Sequence, residues 1–471
     1  MDSAVRQATG EELLRTTRSV CSRCLQNVPA RLVVDSGAVY LRKSCPEHGE
    51  EECLLSHHPW YYAGLDRYFF RVMEGRALAQ RDYLVRMTER CNLQCPICLA
   101  AATPAAGQAP PPTPDMELAT IQEFLRRHPG RKLKIDLISA EPTLREDLPD
   151  IIRSLKRQGH IVALHTNGIR LADEDYCRTL KSAGMDEVHL QMDGFDDEAY
   201  MKIRGARLTR NKLRVMENLQ KLGIATDLVM VIMPHTNEAE IPKVLEYCRD
   251  RPFVRELFFL GTRALGYFRG SENLLMPDQV IDMVEERTGG LCRRRSIFHF
   301  QKLYFALLSL LGVRKCLYVQ HFMLIRRPGQ GWLTLDELID WGRVDRVLED
   351  LPAARSRGLA SMVAWWARLA GALVRPRLLP YLPDFLGMLL RLKTGWNLDL
   401  LPSRILLLGF ITACDPLNLD EAVARYCGKG ELANDVGLHE SGAEANIDRE
   451  RYWASGGRQG RAPGPATPGC T

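Results

Sequence analysis

The most chemically pointed stretch of the sequence is MTERCNLQCPICLA, where Cys91, Cys95 and Cys98 stand as CxxxCxxC directly after a strand-like apolar run. Three thiolates at this spacing can hold three irons of a [4Fe-4S] cluster and leave the fourth iron without a protein ligand, open to a small molecule. Zinc on the same three cysteines is the alternative. A second group lies nearer the N-terminus, with Cys21 and Cys24 as CxxC, then Cys45 and His48 inside KSCPEHGEEEC. Two such knuckles can close a tetrahedron around zinc or a single iron, and Cys53 in place of His48 would make a site of four thiolates. Cys292, Cys316, Cys414 and Cys427 form no tight motif and read either as auxiliary-cluster ligands or as small buried hydrophobes. Cys177 and Cys248 fall on helical patterns and read as structural, and Cys470 is near the end of the chain.

Such residues need a scaffold, and 471 residues with 46% hydrophobic and 26% charged side chains are enough for one large domain with appendages. A net charge of +5 does not call for nucleic acid. Fourteen cysteines clustered as metal ligands, behind an N-terminus with no apolar leader, point to a reducing, cytoplasmic setting. From Tyr83 to about Leu265 the runs YLVRMT, KIDLIS, IVALHTN, EVHLQMD, DLVMVIM and ELFFLG alternate with amphipathic helical stretches, which predicts a parallel α/β architecture of partial (β/α)6 barrel type. The expected domains are a flexible N-terminus (1–19), a metal-binding head (20–56), the barrel (80–270), a mainly helical apolar region (271–427) and a disordered tail (428–471). Ala100 to Pro114, rich in Pro and Ala, reads as an extended connection. The segments LYFALLSLLGVRK, MVAWWARLAGALVRPRLLPYL and FLGMLLRLKTGW are apolar but broken by arginine, and none is long enough to span a bilayer. They read first as a buried helical domain, the commoner cause of such runs; Trp365 and Trp366 beside basic residues also suit helices lying in a membrane interface or lining an apolar substrate channel.

Further motifs sit where the strand candidates end: SAEPTLRED with Ser139, Ala140, Glu141 and Pro142, HTNGIRL with Thr166, Asn167 and Gly168, and QMDGFDDEAYMKIRG with Gln191 and Asp193. Together with CxxxCxxC this pattern resembles the radical S-adenosylmethionine (SAM) superfamily. The resemblance implies a [4Fe-4S] cluster on Cys91, Cys95 and Cys98 that binds SAM and reductively cleaves it to a 5′-deoxyadenosyl radical. It also implies a reductant such as ferredoxin or flavodoxin. By similarity Ser139, Ala140, Glu141 and Pro142 replace the family's GGEP and face the SAM amino group, Ile97 packs on the adenine, Asn167 lines the mouth, and Asp193 meets the ribose. Asp193 read without the family is a helix cap, and Ile97 a core residue. Serine and alanine take positive φ less readily than glycine, which is this chain's departure in that loop.

The head ahead of the barrel, with the later ACDPLNLDEAVARYC, narrows the resemblance to the family of the archaeal tetraether lipid synthase, earlier described as pterin-modifying radical SAM methyltransferases, over roughly Val20 to Cys427. It implies hydrogen abstraction from an unactivated C–H bond, foremost in a lipid chain with carbon–carbon bond formation and an auxiliary iron–sulfur cluster. Modification of a small heterocycle such as a pterin is the second reading, and a non-catalytic binding protein on the same fold the third. A peripheral membrane contact would accompany the lipid reading. The chain departs from the family after Cys427, where GKGELANDVGLHESG replaces a further cysteine-containing segment.

Overall fold

The computed structural model describes residues 11–104, 113–268, 274–327, 329–387 and 401–455. The middle of the Ala100–Pro114 connection, most of FLGMLLRLKTGW and Cys470 lie outside these residues. The head is a four-stranded antiparallel sheet, β1 (Glu12–Val20), β2 (Asn27–Asp35), β3 (Ala38–Cys45) and β4 (Gly49–Ser56), in sequential order. Helix Pro59–Met73 then leads to β5 (Asp82–Arg86). The short strands β6 (Arg90–Cys91) and β7 (Thr103–Pro104) pair at the two ends of the cysteine loop.

The strands β5, β8 (Lys134–Ile138), β9 (Ile161–Thr166), β10 (Glu187–Gln191), β11 (Ala225–Ile232) and β12 (Val254–Gly261) pair in parallel, in that spatial order. These are the six apolar runs of the sequence. They read as runs because helices cover the outer face and the inner face is enclosed, so both faces are buried. Crossover helices are set by local chemistry: the Asp173 side chain accepts from the amides of Asp175 and Tyr176 to start helix Glu174–Ala183, and Gly184 at φ +105° ends it.

The sheet runs further than six strands. On one side β15 (Ile405–Ile411) pairs parallel to β12, and β13 (Val319–Arg327) and β14 (Gly331–Thr334) continue it antiparallel. On the other, β16 (Lys429–Ala433) pairs parallel to β5 and is followed by β17 (Gly437–His439). The region 271–427 is thus mostly helical, as expected, but it also supplies strands to the barrel sheet. Its helix Arg294–Leu311 is buried against Pro59–Met73, with Tyr61 and Phe298 rings 5.9 Å apart.

Two expectations are corrected. The N-terminal segment is structured from Glu12, because Arg15 ion-pairs with Asp66 and Asp420 and ties β1 to the body. The tail from residue 428 is structured through helix Gly442–Ala454. Buried Arg449 pairs there with Glu431 and Asp435, and β16 brings Lys429 onto Asp136. Gly430 permits that pairing, since a Cβ there would come within 2.4 Å of the Tyr83 ring.

Candidate active site

The loop after β5 carries Cys91, buried, and Cys95 and Cys98, half-buried, into one wall of a cavity of about 290 Å³ at the C-terminal ends of the strands. Backbone amides point at the sulfurs: Leu93 N donates to Cys91 Sγ at 3.4 Å and Ala102 N to Cys98 Sγ at 3.5 Å. Burial pushes the Cys91 thiol up to about 12 and raises Cys95, which Arg204 opposes. Metal ligation would supply the charge that burial disfavours. Among the described residues, the groups whose donor atoms all lie within 4.8 Å of one another do not include these three cysteines. Their spread suits a multi-iron cluster better than one tetrahedral zinc, whose ligands at about 2.3 Å stand about 3.8 Å apart.

The loop is clamped from behind. Tyr267 N donates to Cys98 O at 2.9 Å, and Gly266 at φ +62° is required there because a Cβ would sit 2.2 Å from that oxygen. Opposite the cysteines, Ser139 and Ala140 line the cavity with φ of +84° and +40°. Both residues thus hold the left-handed conformation that glycine takes freely and that strains an L side chain.

Glu141 does not line the cavity. It is fully buried, and its carboxylate accepts from Thr143 N (3.1 Å), Thr143 Oγ1 (2.6 Å), Thr166 Oγ1 (2.7 Å) and Asn167 N (2.7 Å). It holds the ends of β8 and β9 together, and Pro142 begins the turn behind it. Burial raises the Glu141 carboxyl, with these donors opposing. Asn167 lines the cavity, donating to Asn92 Oδ1 at 2.7 Å and approaching Cys91 Sγ at 3.8 Å. Ile97 lines it too, packed with Ile203 and Val231. Asp193 is neither on the wall nor a helix cap, since Asp196 caps the next helix. Its carboxylate is held by Arg204, at 2.7 and 3.0 Å, and by Val231 N at 3.0 Å, and Arg204 is the group that reaches the cavity.

Several groups on or behind this wall are not legible as motifs. Lys212, fully buried, donates to Asn167 O (2.5 Å), Gln191 O (2.6 Å) and Gln191 Oε1 (2.8 Å), cross-tying the loops after β9 and β10. His165 and His189 are register partners on β9 and β10, both line the cavity, and their rings stack at 4.2 Å and 6°. His189 pairs in turn with Asp227 on β11, Nδ1 to Oδ2 2.7 Å, and with Glu187, Nε2 to Oε1 3.1 Å. Burial works to lower its basicity, but the two carboxylates overcome it and raise it to about 9. Burial and the neighbouring imidazolium lower His165 to about 4. Asp136 lies 3.5 Å from His165 Nε2. The donor atoms of Asp136, His165 and His189 lie within 4.8 Å of one another, but Lys429 and Lys134 stand on this carboxylate layer and compensate it, which argues against a further cation. Asp136 Oδ1 and His165 Nε2 are buried without a hydrogen bond. His165 and His189 are the members of this layer that line the cavity, and Asp136, Glu187 and Asp227 lie behind them, fully buried.

In the head, Cys21, Cys24, Cys45 and His48 bring their donor atoms within 4.8 Å of one another, with Cys24 and Cys45 sulfurs 3.8 Å apart and Cys45 Sγ to His48 Nδ1 3.5 Å. This is the spacing of tetrahedral zinc. Cys53 is not among them; it is buried in the main hydrophobic core with Leu41 and Leu55, so the four-thiolate alternative is set aside. Cys316, Cys414 and Cys427 lie close enough for their charges to interact, whereas Cys292 is buried elsewhere. Arg263 on the cavity wall binds Asp415 at 2.9 and 3.0 Å, so the segment carrying Cys414 abuts the site.

Comparison with known proteins accords with this geometry. Residues 85–248 match the family described as Radical SAM superfamily, and residues 13–57 match the HMPTM N-terminal zinc ribbon domain. Residues 85–248 thus carry a radical SAM domain, and residues 13–57 a metal-binding head. It is 31% identical over 307 residues to 7,8-dihydro-6-hydroxymethylpterin dimethyltransferase of Methanocaldococcus jannaschii, covering 59% of this chain and 59% of that protein. It is 28% identical to GTP 3′,8-cyclase of Helicobacter pylori, over 44% of this chain and 63% of that one. The chain thus spans about three-fifths of the length of these relatives. Among solved structures, Streptococcus suis SuiB bound to S-adenosylmethionine matches at TM-score 0.38 and 12% identity, over 50% of this chain and 54% of that one.

Proposed function

We propose that this protein is a radical SAM enzyme whose substrate is a small polar nitrogen heterocycle of the pterin class. Cys91, Cys95 and Cys98 would hold a [4Fe-4S] cluster, and the cavity wall of Ile97, Ser139, Ala140 and Asn167 would hold SAM. When bound, the cluster supplies one electron to SAM, which yields methionine and a 5′-deoxyadenosyl radical able to abstract hydrogen. The observation that carries the substrate reading is the set of polar side chains on the cavity wall: stacked His165 and His189, with Asn167, Gln191 and Arg204. A ring bearing N–H donors and carbonyl acceptors can hydrogen-bond to these side chains, whereas a hydrocarbon chain offers them no partner. The likeness to a pterin dimethyltransferase supports the same substrate class. Zinc in the head, held by Cys21, Cys24, Cys45 and His48, is a structural staple. Cys316, Cys414 and Cys427 are offered as ligands of an auxiliary cluster beside the cavity.

The test is anaerobic reconstitution with SAM, a low-potential reductant and either 7,8-dihydro-6-hydroxymethylpterin or a diether lipid. 5′-Deoxyadenosine formation that rises with the pterin and vanishes in Cys91→Ala, Cys95→Ala and Cys98→Ala is the expected result. Stimulation by the lipid alone would overturn the substrate reading.

A further inference from the structure

Helix Leu359–Leu373 packs one apolar face inward and presents a second to solvent. Trp365, Leu369 and Ala372 are buried, and Trp365 Nε1 donates to Val347 O at 2.7 Å, which fixes the helix on its neighbour. On the other side Leu359, Val363 and Trp366 are 82%, 61% and 42% exposed, and in the segment that follows the helix Val374 and Leu379 are 45% and 53% exposed. Exposed apolar residues at i, i+4 and i+7 with alanines between them form a stripe rather than the scattered singles of an ordinary surface.

The charges carried by this segment itself are of one sign, with Asp350 and Asp384 bracketing it. From Leu351 to Pro383 the sequence holds five arginines and no aspartate or glutamate. Arg368 pairs with Asp350 at 2.7 Å and Arg375 with Asp340 at 2.6 Å, both acids belonging to neighbouring segments. Arg357 and Arg377 are exposed and make no ion pair among the described residues. A helix of 15 residues is about 22 Å long, short of the ~30 Å hydrocarbon core, and no helix among the described residues is long and apolar enough to cross a membrane. An apolar stripe with Trp, flanked by arginine and too short to span, fits a bilayer surface with anionic headgroups, the helix lying in the plane of the interface.

We infer that the helix face of Leu359, Val363 and Trp366, with Val374, Leu379, Arg357 and Arg377 in the adjoining segments, docks the protein peripherally on an anionic lipid surface. This stands apart from the chemistry proposed for the barrel, since none of these residues lines the cavity.

The experiment is flotation of the full-length holoprotein with vesicles of phosphatidylcholine alone or with 30% phosphatidylglycerol, chosen as about a third anionic lipid. Wild type should co-float with the anionic vesicles, less so as salt rises. Val363→Asp with Trp366→Ser should weaken partitioning at least tenfold. Arg357→Gln with Arg377→Gln, which leaves the apolar face intact, should weaken it about fivefold per arginine, the equivalent of about 1 kcal/mol each. Circular dichroism and 5′-deoxyadenosine formation should be unchanged in both variants. Absence of flotation with anionic vesicles overturns the inference. So does a concentration-dependent dimer, abolished by Val363→Asp, in a protein that ignores vesicles, which would make a second copy of the chain the occupant.

Discussion

Replacing His189 by glutamine tests the charged layer at the cavity directly. The imidazole is 7% exposed, between Asp227 at 2.7 Å and Glu187 at 3.1 Å. Its proton is held to about pH 9, against 6.5 for an ordinary histidine. Two and a half pH units at about 1.4 kcal/mol per unit give about 3 kcal/mol of stability from the imidazolium. The sign follows from the folded state binding the proton more tightly: the contribution is complete below pH 6.5 and is lost as pH rises through about 9. Asp227, raised by burial to about 6, is ionised in folded and unfolded chains alike through most of that window and adds little slope. Guanidinium unfolding of wild type and His189→Gln, anaerobically at pH 6.5, 7.5, 8.5 and 9.5, reads the histidine together with the Asp227 and Glu187 carboxylates it holds ionised. Wild type should lead by about 3 kcal/mol more at the lowest pH than at the highest. A difference that stays flat across the series would refute the placement of an imidazolium between these carboxylates.

Ser139→Gly with Ala140→Gly should relieve left-handed strain of about 1–2 kcal/mol per residue against about 0.5–1 for glycine's freer unfolded chain. The double variant should be more stable by about 1 kcal/mol in denaturant unfolding and bind SAM at least as tightly by calorimetry. Lys212→Met leaves three acceptors without their donor, at about 1–3 kcal/mol each; SAM affinity should fall at least tenfold, measured the same way. One zinc per chain should be found by elemental analysis, lost in Cys24→Ser and retained in Cys53→Ser.

The six barrel strands were legible because parallel strands buried on both faces read as unbroken apolar runs, and the cysteine loop was legible because ligand spacing is local. What was missed is non-local. ILLLGFI, which forms β15, lies in a stretch whose long apolar segments read as helical, and only the sheet edge beside β12 makes it a strand. GKGELANDVGLHESG has the composition of a tail, and its order comes from partners far away in sequence, Asp136 and Tyr83 among them. Each of KIDLIS, IVALHTN, EVHLQMD and DLVMVIM carries an ionisable residue inside an apolar run. That was a usable signal, but only the register sets His165, His189 and Asp227 side by side, with Asp136 opposite Ala163, two residues before His165. Glu141 looked like a ligand-facing acid, and only its four donors show that it faces inward.

The pairing of β16 with β5 has a consequence for how the protein is made. The strand that leads into the cysteine loop keeps a bare hydrogen-bonding edge until residues 429–433 leave the ribosome, some 340 residues later. At about 5–20 residues per second that interval is about 17–70 s, during which an apolar parallel strand stands open to mispairing. The head is delayed as well, because Arg15 and Lys43 find Asp420 and the Pro416 carbonyl only after those distant residues have emerged. Iron delivered to the nascent chain would meet three thiols on an unfinished sheet, so cluster loading belongs after chain release, and a ribosome-bound truncation ending before Lys429 should be poor at retaining iron.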